Sequence, residues 1–255
     1  MDPQQSAVAP VRAVAFASWG TTDLPNYTRY HIEQCAKWHD EVHIITNSDR
    51  PVDPSWAAER GYHLHLFPNT GRDYQKYHDF LMKMGREWTV ELESFSMIND
   101  SIICYGPLDV FFNWVRKQGT HMVGLNGMKF PLQHCQGSPL VMNHDFLPMM
   151  WDHFHRTGIV RPIDEIKHYE LAFPELSQSM IAMFPQRARR GWDELFSVPF
   201  EAGVPLVKHY CISPRKPLFI KQWQARINHF AHPDSRPWAL LPLMLDPSYI
   251  FRADA

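Results

Sequence analysis

No charge of one sign dominates this sequence. Its 25 Lys and Arg stand against 27 Asp and Glu, for a formal charge of -2, which argues against a nucleic-acid partner and the strongly basic face such a partner demands. Cysteine is scarce. Cys35, Cys104, Cys135 and Cys211 are scattered with no C-x-x-C pair, so no metal-site spacing is present and a reduced, intracellular protein is expected. No uncharged apolar run approaches the ~18 residues that would suggest a membrane span. The opening "MDPQQSAVAPVRAVAFASWG" lacks a basic leader, and Pro10 and Arg12 interrupt its apolar run, which argues against a signal peptide. A soluble, cytoplasmic protein is the expectation. Four catalytic signatures are missing as well: G-x-G-x-x-G, G-x-x-x-x-G-K-[ST], H-E-x-x-H and G-x-S-x-G. Their absence weakens dinucleotide oxidoreductase, P-loop kinase, zincin and α/β-hydrolase readings together.

What is present is a chain of 255 residues, 45% hydrophobic, ample to bury a core. "VRAVAFASWG" (11–20) reads as a buried strand. "YTRYHIEQCAKW" (27–38) repeats large residues at helical period, and "EVHIITNSD" (41–49) is a second strand. Strand, helix and strand within about forty residues suggest a parallel βαβ unit, whose ligand crevice lies at the strands' carboxyl ends. "HLHLF" (63–67) alternates as a strand. Tyr74, Tyr77, Leu81, Met84 and Trp88 then share one helical face, which a Thr70–Asp73 capping box would open. "SFSMIND" continues as a strand, and Pro107 suits the start of a helix with Leu108, Phe111, Phe112 and Val115 inward. "HMVGLNG", "SPLVMN" and "VPLVKHYCIS" read as strands. "FLPMMWDHFHR" reads as a helix, as does much of "IDEIKHYELAFPELSQSMIAMF", broken or kinked at Pro174. "ALLPLML" reads as a closing segment packed on the core. No repeat or linker divides the chain, so one α/β domain, residues 1–255, is expected.

Polar clusters end the apolar strands at Ser18–Asp23, Asn47–Asp49, Asn69–Asp73 and Asn99–Ser101. Loops of this kind converge on one edge of a parallel sheet. At Asn99-Asp100-Ser101 two readings compete. Asp100 is a hard oxygen donor suited to a divalent cation on a diphosphate or to a ribose hydroxyl; alternatively the triplet is an Asx-turn.

"NTGRDYQKYHDFL" (69–81) followed by "SMINDSIICYGPLDVFF" (96–112) resembles the rhamnan synthesis protein F family of bacterial polysaccharide glycosyltransferases. That family pairs an N-x-G-x-D segment with an apolar strand ending in N-D-S and a G-P-[LF] soon after. "YTRYHIEQCAKWHDEVHIITNS", "HMVGLNG", "HCQGSPLVMN", "HYELAFPELSQSM" and "VPLVKHYCI" resemble its further segments in order, covering roughly residues 11–215. Gly137 and Pro139 depart from the family's Q-S-aromatic strand, and Pro174 leaves Glu170 and Glu175 as rival matches to its Y-E helix.

The resemblance implies a type-A glycosyltransferase fold: a single Rossmann-like α/β/α sandwich holding a nucleoside-diphosphate sugar at the strands' carboxyl ends. It implies a donor half over about 11–118 and an acceptor half over about 119–255. Asn99-Asp100-Ser101 would stand where such folds carry D-x-D, with Asp100 as ligand to Mg²⁺ or Mn²⁺ or to ribose and with Asn99 and Ser101 hydrogen-bonding beside it. Ser18, Asn47 and Asn69 belong to the converging loops. Arg72 is a candidate for the diphosphate, Asp73 for a cap or a base or ribose contact, and Lys208 for the leaving diphosphate or an edge-strand position. Inverting transfer needs one general base, for which Glu170 is the first candidate and Glu175 the second. His134 is a candidate for acceptor or sugar contact. The acceptor would be a glycan or lipid-linked glycan, the sugar a deoxyhexose such as rhamnose. A non-catalytic nucleotide- or glycan-binding module and a sugar-pathway methyltransferase are the alternatives.

Three features are set aside. The histidines of "HLHLF" and "HFH" lack a third metal ligand at suitable spacing. "QRARRG" (186–191) is a solvated basic run offering at most peripheral membrane contact. "LPMMW" is core.

Overall fold

A computed structural model describes residues 10–18, 24, 26–49, 52–70, 72–104, 106–125, 127–128, 134–135, 139–158, 172, 181–183 and 204–208. The chain runs β1 (Val11–Ala17), α1 (Asn26–Ala36), β2 (Glu41–Asn47), α2 (Ser55–Ala58), β3 (His63–Phe67), α3 (Arg72–Glu91) and β4 (Leu92–Asn99). It continues through β5 (Ile102–Cys104), α4 (Asp109–Val115), β6 (Met122–Gly124), β7 (Gly127–Met128), β8 (His134–Cys135) and β9 (Leu140–Asn143). Among the described residues it closes with α5 (Leu147–Thr157), β10 (Ile181–Met183) and β11 (Leu206–Lys208).

Seven strands form one sheet in the order β10-β6-β9-β4-β1-β2-β3. Strands β4, β1, β2 and β3 are parallel, β10 is parallel to β6, and β9 runs antiparallel to both its neighbours. Side chains alternate across each strand. Ala13, Ala15 and Ala17 therefore join Phe80, Leu81, Met150 and Phe154 of α3 and α5 in one core. Val14 and Phe16 join Ile32, Cys35, Phe111 and Phe112 of α1 and α4 in the other. Burial on both faces is why β1 reads as a nearly unbroken apolar run. The result is a Rossmann-like α/β/α sandwich. Phe16, Phe80 and Phe95 are wholly buried, each worth ~1.5–3 kcal/mol against exposure.

Three features depart from the sequence reading. Ile181–Met183, expected as the end of a helix, is a strand on the edge of β6; three apolar residues carry no usable period, and pairing decides their state. β11 pairs antiparallel with β5 in a separate two-stranded sheet rather than joining the main one. Helix α3 breaks at Gly85, whose φ of 86° and ψ of 167° lie in a region that glycine alone occupies readily.

A polar chain holds the second half of α3 to the sheet. Lys83 Nζ lies 3.3 Å from His65 Nδ1, His65 Nε2 3.1 Å from His43 Nδ1, and His43 Nε2 3.0 Å from Glu41 Oε2. Trp88 Nε1 donates to that same oxygen at 3.2 Å. An ammonium only donates and a carboxylate only accepts. The order is therefore satisfied when both histidines are neutral with their proton on Nε2, and one added proton sets two N–H groups against each other. Burial, then the charges of His43, Lys83 and His63, pushes His65 down to about 4. Burial also lowers His43, with His63 adding and Glu41 opposing. Elsewhere, burial lowers His31 and His39 to about 4. A histidine depressed by folding contributes stability above its unfolded value of 6.5 and loses it as pH falls toward the folded value. Urea unfolding is thus expected to give a free energy that drops between pH 6.5 and 4, with a shallower drop in His65→Gln. Equal slopes in the two proteins would show that the chain does not couple to folding.

Candidate functional site

The strand order places a switch point between β1 and β4. The chain moves outward from β1 to β2 and β3, and α3 then returns it to β4 on the other side of β1. Ligands of open α/β sheets bind in the crevice outside the carboxyl ends at such a point. Ala17 is in register with Asn99 of β4 and with Ile45 of β2, so Ser18 and Asp100 leave neighbouring strand ends side by side. Asp100 N donates to Ala17 O at 3.1 Å. Ser18 Oγ donates to Asp100 Oδ2 at 2.9 Å and so bridges the switch point.

The first turns of α3 close the arrangement. Asp73, Lys76 and Tyr77 stand at i, i+3 and i+4 and share a helical face. Asp73 Oδ2 accepts from Asn99 Nδ2 at 2.7 Å. Lys76 Nζ donates to Ser18 O at 2.7 Å and Tyr77 Oη to Ile98 O at 2.7 Å. Ser101 Oγ in turn donates to Asn99 Oδ1 at 2.6 Å. One helical face thereby grips the ends of β1 and β4 together. Burial first, then the negative charge of Asp73 along with Tyr74 and Asp100, pushes the Tyr77 hydroxyl well above its usual pKa. It remains a hydrogen-bond donor at any working pH.

The other candidates fall as follows. Asn47 ends β2, buried, at the same edge. Asn69 is half-buried two residues beyond β3, roughly 10 Å from β1 at the ordinary strand spacing. Arg72 opens α3. Lys208 ends β11, in register with Ile102, two residues past Asp100. His134 lies in the β7–β8 hairpin, inserted between β6 and β9. Gly124 of β6 pairs with Leu140 of β9, so that insertion leaves and re-enters at the carboxyl edge of β6. The side chains of Arg72, Lys208 and His134, together with Glu170, Glu175, 186–191 and "ALLPLML", lie outside the described residues. Asp73 serves a purpose not anticipated from sequence: its carboxylate receives the Asn99 amide. Lys76 was also missed, and Tyr77 was read only as core. The available signal was a lysine three residues after Asp73 on an otherwise apolar helical stripe.

No protein-family model matches the chain, and no curated protein matches it; the resemblance to the rhamnan synthesis family stands on its motifs alone. Solved structures do align. CMP:2-keto-3-deoxy-manno-octonic acid synthetase complexed with CTP is 10% identical over 68% of this chain and 89% of its own, with a TM-score of 0.39. Glucosyl-3-phosphoglycerate synthase from Mycobacterium tuberculosis in complex with UDP is 10% identical over 77% and 82%, with a TM-score of 0.40. The same synthase with Mn²⁺, UDP and phosphoglyceric acid gives 12%, 73%, 74% and a TM-score of 0.38. Likeness at this level carries no inference about activity, and the functional reading rests on the site itself.

Tyr77→Phe removes the donor to the Ile98 carbonyl while keeping the ring packed. It is expected to lower the unfolding free energy by about 0.5–1.5 kcal/mol, the net contribution of one intramolecular hydrogen bond, with circular dichroism unchanged. A urea midpoint equal to wild type would mean that the hydroxyl does not hold the end of β4.

Proposed function

We propose that the chain is a glycosyltransferase that binds a nucleoside-diphosphate sugar at the carboxyl edge of β1 and β4 and transfers the sugar to a glycan acceptor with inversion. The observation that carries the reading is the Ser18–Asp100 hydrogen bond across the switch point, at 2.9 Å. It sets a half-buried carboxylate where α/β sheets receive phosphorylated ligands.

The residues would divide the work as follows. Asn47 and Asn69 edge the nucleotide, and Arg72 meets the diphosphate. Lys208, brought beside Ile102 by the β5–β11 pairing, meets the leaving group. Asp100 suits Mg²⁺ or Mn²⁺ in its donor chemistry. Among the described residues no three metal-ligating side chains gather, so the diphosphate's own oxygens would complete the shell. When bound, such a cation supplies neutralising charge to the departing diphosphate. Loss of one stabilising donor of that kind typically costs ~10²–10³ in turnover. Glu170, with Glu175 second, would take the acceptor hydroxyl's proton as it attacks the anomeric carbon, and His134 would touch acceptor or sugar. Residues of about 11–118 would form the donor half of one domain and about 119–255 the acceptor half. A deoxyhexose donor and a lipid-linked or polysaccharide acceptor follow from the family resemblance. No helix among the described residues is long and apolar enough to cross a membrane.

A thermal-shift panel tests this reading. UDP, dTDP, GDP, CMP and S-adenosylmethionine are each added with and without Mn²⁺ to wild type and Asp100→Ala. One nucleoside diphosphate is expected to stabilise wild type in Mn²⁺ by about 2.7 kcal/mol at a hundredfold excess over its dissociation constant. That is a shift of several degrees, at roughly 2–4 °C per kcal/mol, and Asp100→Ala is expected to lose it. A panel in which nothing shifts the protein, or in which S-adenosylmethionine alone does, removes the proposal.

A further inference from the structure

Lys76 is fully buried. An ammonium taken out of water is costly unless it is hydrogen-bonded and faced by opposite charge. Its hydrogen bond goes to the Ser18 carbonyl at 2.7 Å, and the hydroxyl of the same serine holds Asp100 at 2.9 Å. The opposite charge is close by. Asp73 lies one helical turn earlier on the same face and is tied by Asn99 to the strand end that carries Asp100. Both carboxylates act electrostatically on Tyr77, which shares that helical face with Asp73 and Lys76.

We infer that Lys76 is the resident counter-cation of Asp73 and Asp100, and a positioning residue that fixes Asp100 through Ser18. The Lys76 ammonium lowers the negative charge that a divalent cation meets at the two carboxylates and adds positive charge where a diphosphate would sit. Without Lys76 a divalent cation meets more negative charge and a diphosphate meets less positive charge. Loss of the ammonium therefore acts in opposite directions on the two ligands: the metal binds more tightly and the diphosphate less tightly. A purely structural residue would weaken both. Both the metal and the anion rest on the donor-site reading proposed above, and the comparison of Lys76 variants with wild type tests the role of the ammonium separately.

The test uses the full chain and two probes: Mn²⁺ alone, followed by the paramagnetic resonance of free metal, and inorganic pyrophosphate in saturating Mg²⁺, followed by calorimetry. Lys76→Met is expected to bind Mn²⁺ about tenfold more tightly than wild type and pyrophosphate about tenfold more weakly, as removal of a near charge at reduced dielectric implies. Lys76→Arg, which keeps the charge, is expected to return both toward wild type. Lys76→Met binding Mn²⁺ no more tightly than wild type overturns the inference. Should Lys76→Met fail to fold, the pair Lys76→Met/Asp100→Asn decides. A counter-cation predicts that this double variant folds, at a cost below the sum of the single changes. A double variant that stays unfolded while Asp100→Asn folds assigns Lys76 to packing and overturns the inference. If wild type takes up no pyrophosphate, the donor-site reading fails, and the Mn²⁺ comparison still decides the role of Lys76.

Discussion

A buried ammonium cannot be left without partners, and the one on Lys76 meets the Ser18 carbonyl where β1 leaves the sheet. That contact, with Tyr77 on Ile98 and Asp73 on Asn99, makes one helical face the clasp for two strand ends. The ends it joins are those between which the order of the sheet reverses direction. A ligand crevice at a switch point is a property of the topology. Here α3 holds the strand end that carries Ser18, and Ser18 holds Asp100, at that point.

The same helix is tied at its far end by different chemistry. Past the break at Gly85, Trp88 reaches Glu41. Before the break, Lys83 begins the relay through His65 and His43 to that same carboxylate. The two attachments differ in their response to acid. The histidine chain is ordered by neutral rings and opposes added protons, whereas the clasp at the strand ends contains no histidine. Acid therefore works first on the attachment remote from the site. The break at Gly85 falls within the remote attachment, between Lys83 and Trp88.

Much of this was legible in the sequence. The buried strands β1 and β2 announce themselves by short, mostly apolar runs, and the inward face of α3 by Tyr74, Tyr77 and Leu81 at helical spacing. The polar residues ending each strand were enough to expect one crowded edge, and Ser18, Asn47, Asn99 and Asp100 do share it. What escaped was set by contacts between distant parts of the chain. Ile181–Met183 is a strand only because the edge of β6 accepts it. Lys208 comes beside the Asn99–Ser101 turn only because β11 finds β5, a pairing that local propensity cannot foretell. Lys76 escaped for another reason: a lysine on a helix is ordinarily solvated, and its complete burial depends on a carbonyl and two carboxylates supplied by other segments or another turn.

The central claim is that ligand binds where α3 joins β1 to β4. Hydrogen–deuterium exchange, with each nucleoside diphosphate added in Mn²⁺, addresses it most directly. New protection is expected at residues 18, 47–49, 73–77 and 99–101, with the opposite edge of the sheet, around Arg12, Asp40 and Asn143, unchanged. Protection confined to that opposite edge, or none at 99–101 under a ligand that binds, would contradict the account.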